Sequence, residues 1–106
     1  MSYRYMRVIV MFDLPSVSSE ELKEYRKFRK FLLKSGFVMM QESVYTKIAS
    51  NTSVSNGIVR NIRKNKPSRG LVQVLVVTEK QFARIEYIVG QGQSDYIDTD
   101  ERLIIL

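Results

Sequence analysis

The run from Met6 to Leu14 is dense in β-branched and large apolar residues and is closed by Pro15, which predicts a first strand from about residue 3 to 13. Side chains alternate across a strand, so Met6, Val8, Val10 and Phe12 share one face, while Tyr5, Arg7, Ile9, Met11 and Asp13 share the other. Leu71 to Thr78 repeats the pattern, with Val72, Val74 and Val76 opposed to Leu71, Gln73, Leu75 and Val77. A sheet wetted on one side alternates apolar and polar residues. Here both faces are apolar, and both must be covered. With 106 residues there is room for one domain and one core, so helices of the same chain are expected on one face only. The other face calls for a second copy packed sheet against sheet about a two-fold axis.

Between these two strands the chain alternates periods. Ser18 and Glu21 form a capping box for a helix that runs to Lys34 or Ser35, and Gly36 supplies its left-handed end. Its apolar face is Leu22, Tyr25, Phe28, Phe31, Leu32 and Leu33; Lys23, Arg26, Lys27, Lys30 and Lys34 gather in a cationic stripe opposite. Phe37–Met40 and Ser43–Ile48 read as short strands, with a turn or bulge at Gln41-Glu42. A second helix follows Asn51-Thr52-Ser53 and ends near Asn65, before Pro67, with Val54, Ile58, Val59 and Ile62 on its apolar face. After Leu71–Thr78 come one helical turn at Glu79–Arg84 and a short strand at Ile85–Val89. The order strand, helix, strand, strand, helix, strand is that of an α+β ferredoxin-like βαββαβ domain with a four-stranded antiparallel sheet. This domain is expected over residues 1–90, followed by an acidic linker at 91–101 and an apolar C-terminal strand at 102–106. That last strand must join a sheet edge: its own, its twin's or a partner's.

Composition removes several chemistries. The chain has no Cys and no His, so disulfides, thiolate metal sites, cysteine nucleophiles, the Ser-His-Asp triad and imidazole ligation are excluded. A metal, if bound, must be a hard cation held by oxygen. No segment has the length of a membrane span or the form of a signal peptide, and a cytoplasmic location is expected. The net charge of +6 is unevenly spread. Residues 1–78 carry fourteen bases and five acids, residues 79–106 three bases and six acids. No acid lies between Glu42 and Glu79, an interval that holds Lys47, Arg60, Arg63, Lys64, Lys66 and Arg69. Two basic patches on so small a domain point to a polyanion, above all nucleic acid.

Asp13 ends the first strand on the face assigned to the second copy. It fits two uses: an Asx turn before Leu14-Pro15, or a carboxylate that meets its twin across the axis and holds Mg²⁺ or Mn²⁺. Ser43, with Gln41 and Tyr45 beside it, is a further candidate contact for a phosphate. The Lys/Arg-Gly-Phe/Tyr-Gly/Ala-Phe signature of base-stacking RNA-recognition sheets is absent, so the basic patches suit a duplex backbone better than unstacked bases. A regulatory small-molecule domain on the same fold would explain neither patch, and no Gly-rich phosphate loop is present.

The blocks Val8-Ile9-Val10-Met11-Phe12-Asp13-Leu14-Pro15, Tyr25-Arg26-Lys27-Phe28-Arg29-Lys30-Phe31-Leu32, Gly36-Phe37, Gln41-Glu42-Ser43-Val44-Tyr45 and Val77-Thr78-Glu79-Lys80-Gln81-Phe82-Ala83-Arg84 resemble the CRISPR-associated protein 2 family, with the pattern of members from type II-A systems. The resemblance implies a homodimer that bridges dimers of CRISPR-associated protein 1, the integrase, and holds a duplex DNA prespacer by its phosphates during spacer acquisition. It also implies a Mg²⁺-dependent endonuclease as the alternative activity, with Asp13 as metal ligand and catalytic residue. Arg26, Lys27, Arg29 and Lys30 match the family's basic first helix. With Arg60, Arg63, Lys64, Lys66 and Arg69 they make up the expected DNA-binding set. Leu103, Ile104, Ile105 and Leu106 match the segment that docks a partner.

Overall fold

The apolar run that dominates the sequence becomes β1 (Met6–Asp13), and it lies inside the sheet with a neighbour on each side. On one side it pairs antiparallel with β4 (Leu71–Thr78), from Met6 opposite Thr78 to Asp13 opposite Leu71. On the other it pairs antiparallel with β3 (Val44–Ala49), from Met6 opposite Ala49 to Met11 opposite Val44. β2 (Val38–Gln41) closes the far edge, so the order is β2-β3-β1-β4. With α1 (Ser19–Lys34) between β1 and β2, and α2 (Thr52–Lys64) between β3 and β4, this is the ferredoxin-like α+β arrangement. A single turn, α3 (Glu79–Phe82), follows β4 directly. The computed structural model describes residues 4–90; the acidic linker at 91–101 and the strand expected at 102–106 lie outside the described residues.

The helix boundaries follow from local chemistry. Ser18 Oγ accepts from Glu21 N at 3.1 Å and Glu21 Oε1 accepts from Ser18 N at 3.0 Å, which satisfies two orphan donors of α1 at once. Gly36, at φ +94°, turns the chain out of the helix. Lys47 Nζ donates to the Ser35 carbonyl there, so one base of the acid-free interval serves to cap α1. In α2 the Asn51 side chain accepts from Val54 N at 2.9 Å.

Both helices cover the sheet face that carries Val8, Val10, Phe12 and Tyr45, and Phe28, Leu32 and Ile62 complete the buried cluster. Each such side chain contributes roughly 1.5–3 kcal/mol by leaving water. Three expectations change. Leu33 and Val54 lie at the margins of their apolar faces and are exposed. In α2 the buried place goes instead to Ser55, whose hydroxyl is satisfied by donating to the Thr52 carbonyl at 2.9 Å. Ile85–Val89 does not form a strand: Ile85 N still bonds the Phe82 carbonyl at 3.2 Å, and the residues beyond are irregular. A strand needs a neighbour for its N–H and C=O groups, and among the described residues none lies alongside.

Replacing Phe28 with Ala is expected to lower stability by about 3–5 kcal/mol, whereas Val54→Ala stays within about 0.5 kcal/mol. Urea unfolding followed by circular dichroism distinguishes the two.

Candidate functional site

Asp13 stands on a rigid mount. The preceding Phe12 ring is stacked on Tyr45 at 5.7 Å, meets Phe28 edge-on at 5.3 Å and lies 6.2 Å from Tyr25. Phe12 N donates to the Ser43 carbonyl at 3.0 Å, extending the β1–β3 ladder by one bond. Ser43 reaches that position with φ +67°, a left-handed backbone that costs a non-glycine residue roughly 1–2 kcal/mol. On the other side Gly70 passes so close that a Cβ would fall 2.9 Å from the Asp13 carbonyl oxygen and 2.7 Å from Leu14 Cδ2. Asp13 itself is exposed, on the face shared with Ile9 and Met11. The contact that Ser43 makes with β1 is through its backbone carbonyl. Tyr45, expected beside it as a phosphate contact, is 1% exposed and faces the helices. Gly70 opens β4 in the sequence, but its contact with Asp13 depends on pairing across the sheet and carries no local signal.

The metal reading of Asp13 can be tested on its neighbours. Among the described residues no group of three or more Asp, Glu, His or Cys side chains is placed to hold a cation. Among the described residues Asp13 therefore stands alone, and a Mg²⁺ ion held there would take its other oxygens from water, a phosphate or a second copy.

The opposite side of the domain is cationic. Arg26, Lys27, Arg29 and Lys30 on α1, Arg60, Arg63 and Lys64 on α2, and Lys66 and Arg69 in the α2–β4 loop are all exposed. The fold brings some of them together. Lys27, Lys64 and Lys66 line one groove of about 360 Å³ with Glu24 and Ser68. Lys23, Lys27 and Arg69 line an adjoining cleft of about 610 Å³, which reaches Leu14 and Pro15 next to Asp13. Arg26, Arg29, Lys30, Arg60 and Arg63 line neither hollow. Arg29 is set apart from the α1 stripe, about 200° around the helix from Lys27. Arg69 is not a free cation: its Nη2 lies 3.1 Å from Glu21 Oε2. The docking residues Leu103, Ile104, Ile105 and Leu106 lie outside the described residues.

The remaining sheet face is largely apolar. Leu71, Leu75 and Ile48 are each about half exposed there, at 54%, 50% and 48%. Its one interior charge, Arg7, is neutralised by Glu79 through a bidentate pair at 2.8 and 2.6 Å. Thr46 Oγ1 accepts a third bond at 3.3 Å, and the Phe82 ring lies 4.3 Å from the guanidinium carbon. α3 thus folds over the Arg7 end of this face and leaves the Asp13 end open.

The Ser18 and Val17 amides, with a smaller contribution from Arg69, hold the Glu21 carboxyl below its ordinary value of 4.5. A lowered carboxyl stabilises the fold fully above the ordinary value and loses that contribution as pH falls through its native value. Acidification below 4.5 is therefore expected to fray the start of α1, seen as faster amide exchange at residues 18–22. Gly70→Ala, forced into left-handed backbone against Asp13 and Leu14, is expected to cost about 1–3 kcal/mol, measured by thermal unfolding.

An α+β ferredoxin-like domain with a cationic helical layer, an apolar sheet face and an aspartate at the end of its central strand defines the class. The family model for CRISPR associated protein Cas2 matches residues 6–85. The chain is 54% identical over 101 residues to the "CRISPR-associated endoribonuclease Cas2" of Treponema denticola, covering 95% of this chain and 100% of that protein. It is 46% identical to the protein of the same name from Streptococcus mutans, over 95% of this chain and 93% of that one. A solved structure described as "Crystal structure of cas2" superposes with a TM-score of 0.59 at 20% identity, covering 95% of this chain and 99% of that chain. The chain belongs to the CRISPR-associated Cas2 family.

Proposed function

We propose that this protein is a CRISPR adaptation scaffold. As a homodimer it grips duplex prespacer DNA by its backbone and bridges dimers of the integrase, CRISPR-associated protein 1, in the cytoplasm. The observation that carries this reading is the division of the domain into an exposed cationic helical layer and a largely apolar sheet face. Cations on two helices and a loop suit phosphates spaced along a duplex, and the affinity comes from counterion release rather than base recognition. The apolar face, with its half-exposed Leu71, Leu75 and Ile48, fits a second copy across a two-fold axis. Ile85, Tyr87, Ile88 and Val89, exposed and without a strand to join among the described residues, suit pairing along the edge of β4 that those residues leave open, in such a dimer. The apolar residues Leu103, Ile104, Ile105 and Leu106 suit docking on the integrase. Among the described residues no helix is long and apolar enough to cross a membrane.

A second reading is a metal-dependent endonuclease, favoured by the names of the relatives, which are called endoribonucleases. Among the described residues one chain supplies one carboxylate to the site, and in this reading the Asp13 of two copies, brought together, would hold Mg²⁺ or Mn²⁺. The two readings separate by substitution. Duplex binding is expected to be indifferent to base sequence. Its affinity is expected to fall steeply with salt, log K losing about 0.9 per log unit of salt for each phosphate engaged. Asp13→Ala leaves that binding unchanged and removes any Mg²⁺-dependent cleavage. Titration of a short duplex across a salt series, with and without integrase, checks the first; absence of binding in both states overturns the scaffold reading.

A further inference from the structure

The hollow between α1 and the α2–β4 loop is lined by three carboxylates, Glu20, Glu21 and Glu24, that a phosphate-binding surface would be expected to avoid, and two of them bond to the loop. Glu24 lines both the groove with Lys27, Lys64 and Lys66 and the cleft with Lys23 and Arg69. Its Oε1 accepts from Ser68 N at 3.1 Å and from Ser68 Oγ at 3.3 Å, across 44 residues of chain. One turn earlier on the same helix, Glu21 Oε2 holds Arg69 at 3.1 Å. Ser68 and Arg69 belong to the loop between α2 and β4, the segment that carries Lys66 and leads directly into the Gly70–Asp13 contact.

We infer that Glu24, assisted by Glu21, is a positioning residue that clamps the α2–β4 loop onto α1, so that Lys66 of the loop stands beside Lys27 of α1 and Lys64 at the end of α2 as one preformed phosphate-binding cluster. The inference rests on the duplex-backbone reading above and names the part of the surface that does the gripping. A carboxylate within a cationic groove repels phosphate, so charge alone makes Glu24 a hindrance to binding. As a clamp it does the opposite. A loop held before the duplex arrives does not have to be ordered by it, and binding gains what that ordering would have cost. Glu21 doubles as the capping-box residue of α1, so the clamp is built on a capped first turn of the helix. Arg69 is then a tether of the loop more than a phosphate contact.

The test removes the charge of Glu24 in two ways. Glu24→Gln keeps an oxygen that accepts from Ser68 N, whereas Glu24→Ala loses both the charge and the bond. Glu20→Ala, which deletes a carboxylate of the same cleft with no bond to the loop among the described residues, is the control for charge alone. With a short duplex titrated at several salt concentrations, Glu24→Gln and Glu20→Ala bind as tightly as the unmodified protein or a few-fold tighter. Glu24→Ala binds about five- to tenfold more weakly than Glu24→Gln, and its salt slope is shallower by about 0.9 for each phosphate that the displaced loop no longer engages. Ser68→Ala changes no charge and is expected to weaken binding about twofold, because it removes the hydroxyl's single bond to Glu24; it serves in place of Glu24→Ala should that variant not fold. Hydrogen exchange at the Ser68 amide rises in Glu24→Ala and stays slow in Glu24→Gln. Equal affinity of Glu24→Ala and Glu24→Gln, both tighter than the unmodified protein, overturns the clamp while leaving the scaffold reading intact. Absence of duplex binding by the unmodified protein overturns the scaffold reading and this inference with it.

Discussion

β1 is paired on both edges and apolar on both faces, and the rest of the domain is arranged around the consequences. Its helix-facing side chains Val8 and Val10 are fully buried, and Phe12 anchors the aromatic cluster that joins the sheet to α1. Burial of one face by the chain's own helices uses up both helices, because two right-handed crossovers, β1–α1–β2 and β3–α2–β4, that start from antiparallel strands and run in opposite directions across the sheet place them on the same side. Among the described residues the other face has only α3 to cover it. That single turn reaches no further than Arg7, whose charge it neutralises through Glu79. Had Arg7 been left unpaired on this face, its desolvation would have opposed any association there; paired in two charge-assisted bonds and covered by Phe82, it is compatible with an apolar contact.

What the sequence made legible is what depends on neighbours in the chain. The Ser18–Glu21 capping box, the left-handed Gly36, the Asn51 cap and the alternation of β1 and β4 are all set by residues within a turn or two of each other, and each appears in the structure where its pattern falls. The element order was enough for the topology, because right-handed crossovers and unknotted connections admit few arrangements. The misplaced details share a different cause. Leu33 and Val54 lie on the margins of broad apolar arcs, where only the real packing decides which residue is covered. Ile85–Val89 has strand composition but no neighbour to pair with among the described residues.

The candidate site was legible in its residue types and not in its grouping. Asp13 and the cations announce themselves by chemistry. The pairs that organise them join residues 72 and 44 positions apart, Arg7 with Glu79 and Glu24 with Ser68, and nothing in local pattern foretells either. Glu21 and Glu24 read in sequence as ordinary acids near the start of a helix, favoured there by the dipole. Only the fold reveals that they face the α2–β4 loop. In the same way Gly70 reads as a strand opener, and the sheet turns it into the residue against which Asp13 is seated.

Separating a cationic surface from an apolar one across the thickness of a single sheet has a consequence for how the two can be used. A second copy laid on the apolar face would meet Leu71, Leu75 and Ile48, all far from Lys27, Lys64 and Lys66 on the helical side. Association and polyanion binding would then draw on different side chains, and neither would have to be released for the other to form. Two cationic layers would face outward in such a pair, with like charges held apart by two sheets instead of crowded along one edge, so the mutual repulsion of the bases is screened by distance and salt. Asp13, at the opposite end of β1 from the Arg7–Glu79 pair, would be enclosed in the same step. A buried pair of carboxylates repels unless a proton or a cation accompanies it, so the association that this sheet face invites also sets the condition under which Asp13 would acquire a ligand that the described residues of one chain do not provide.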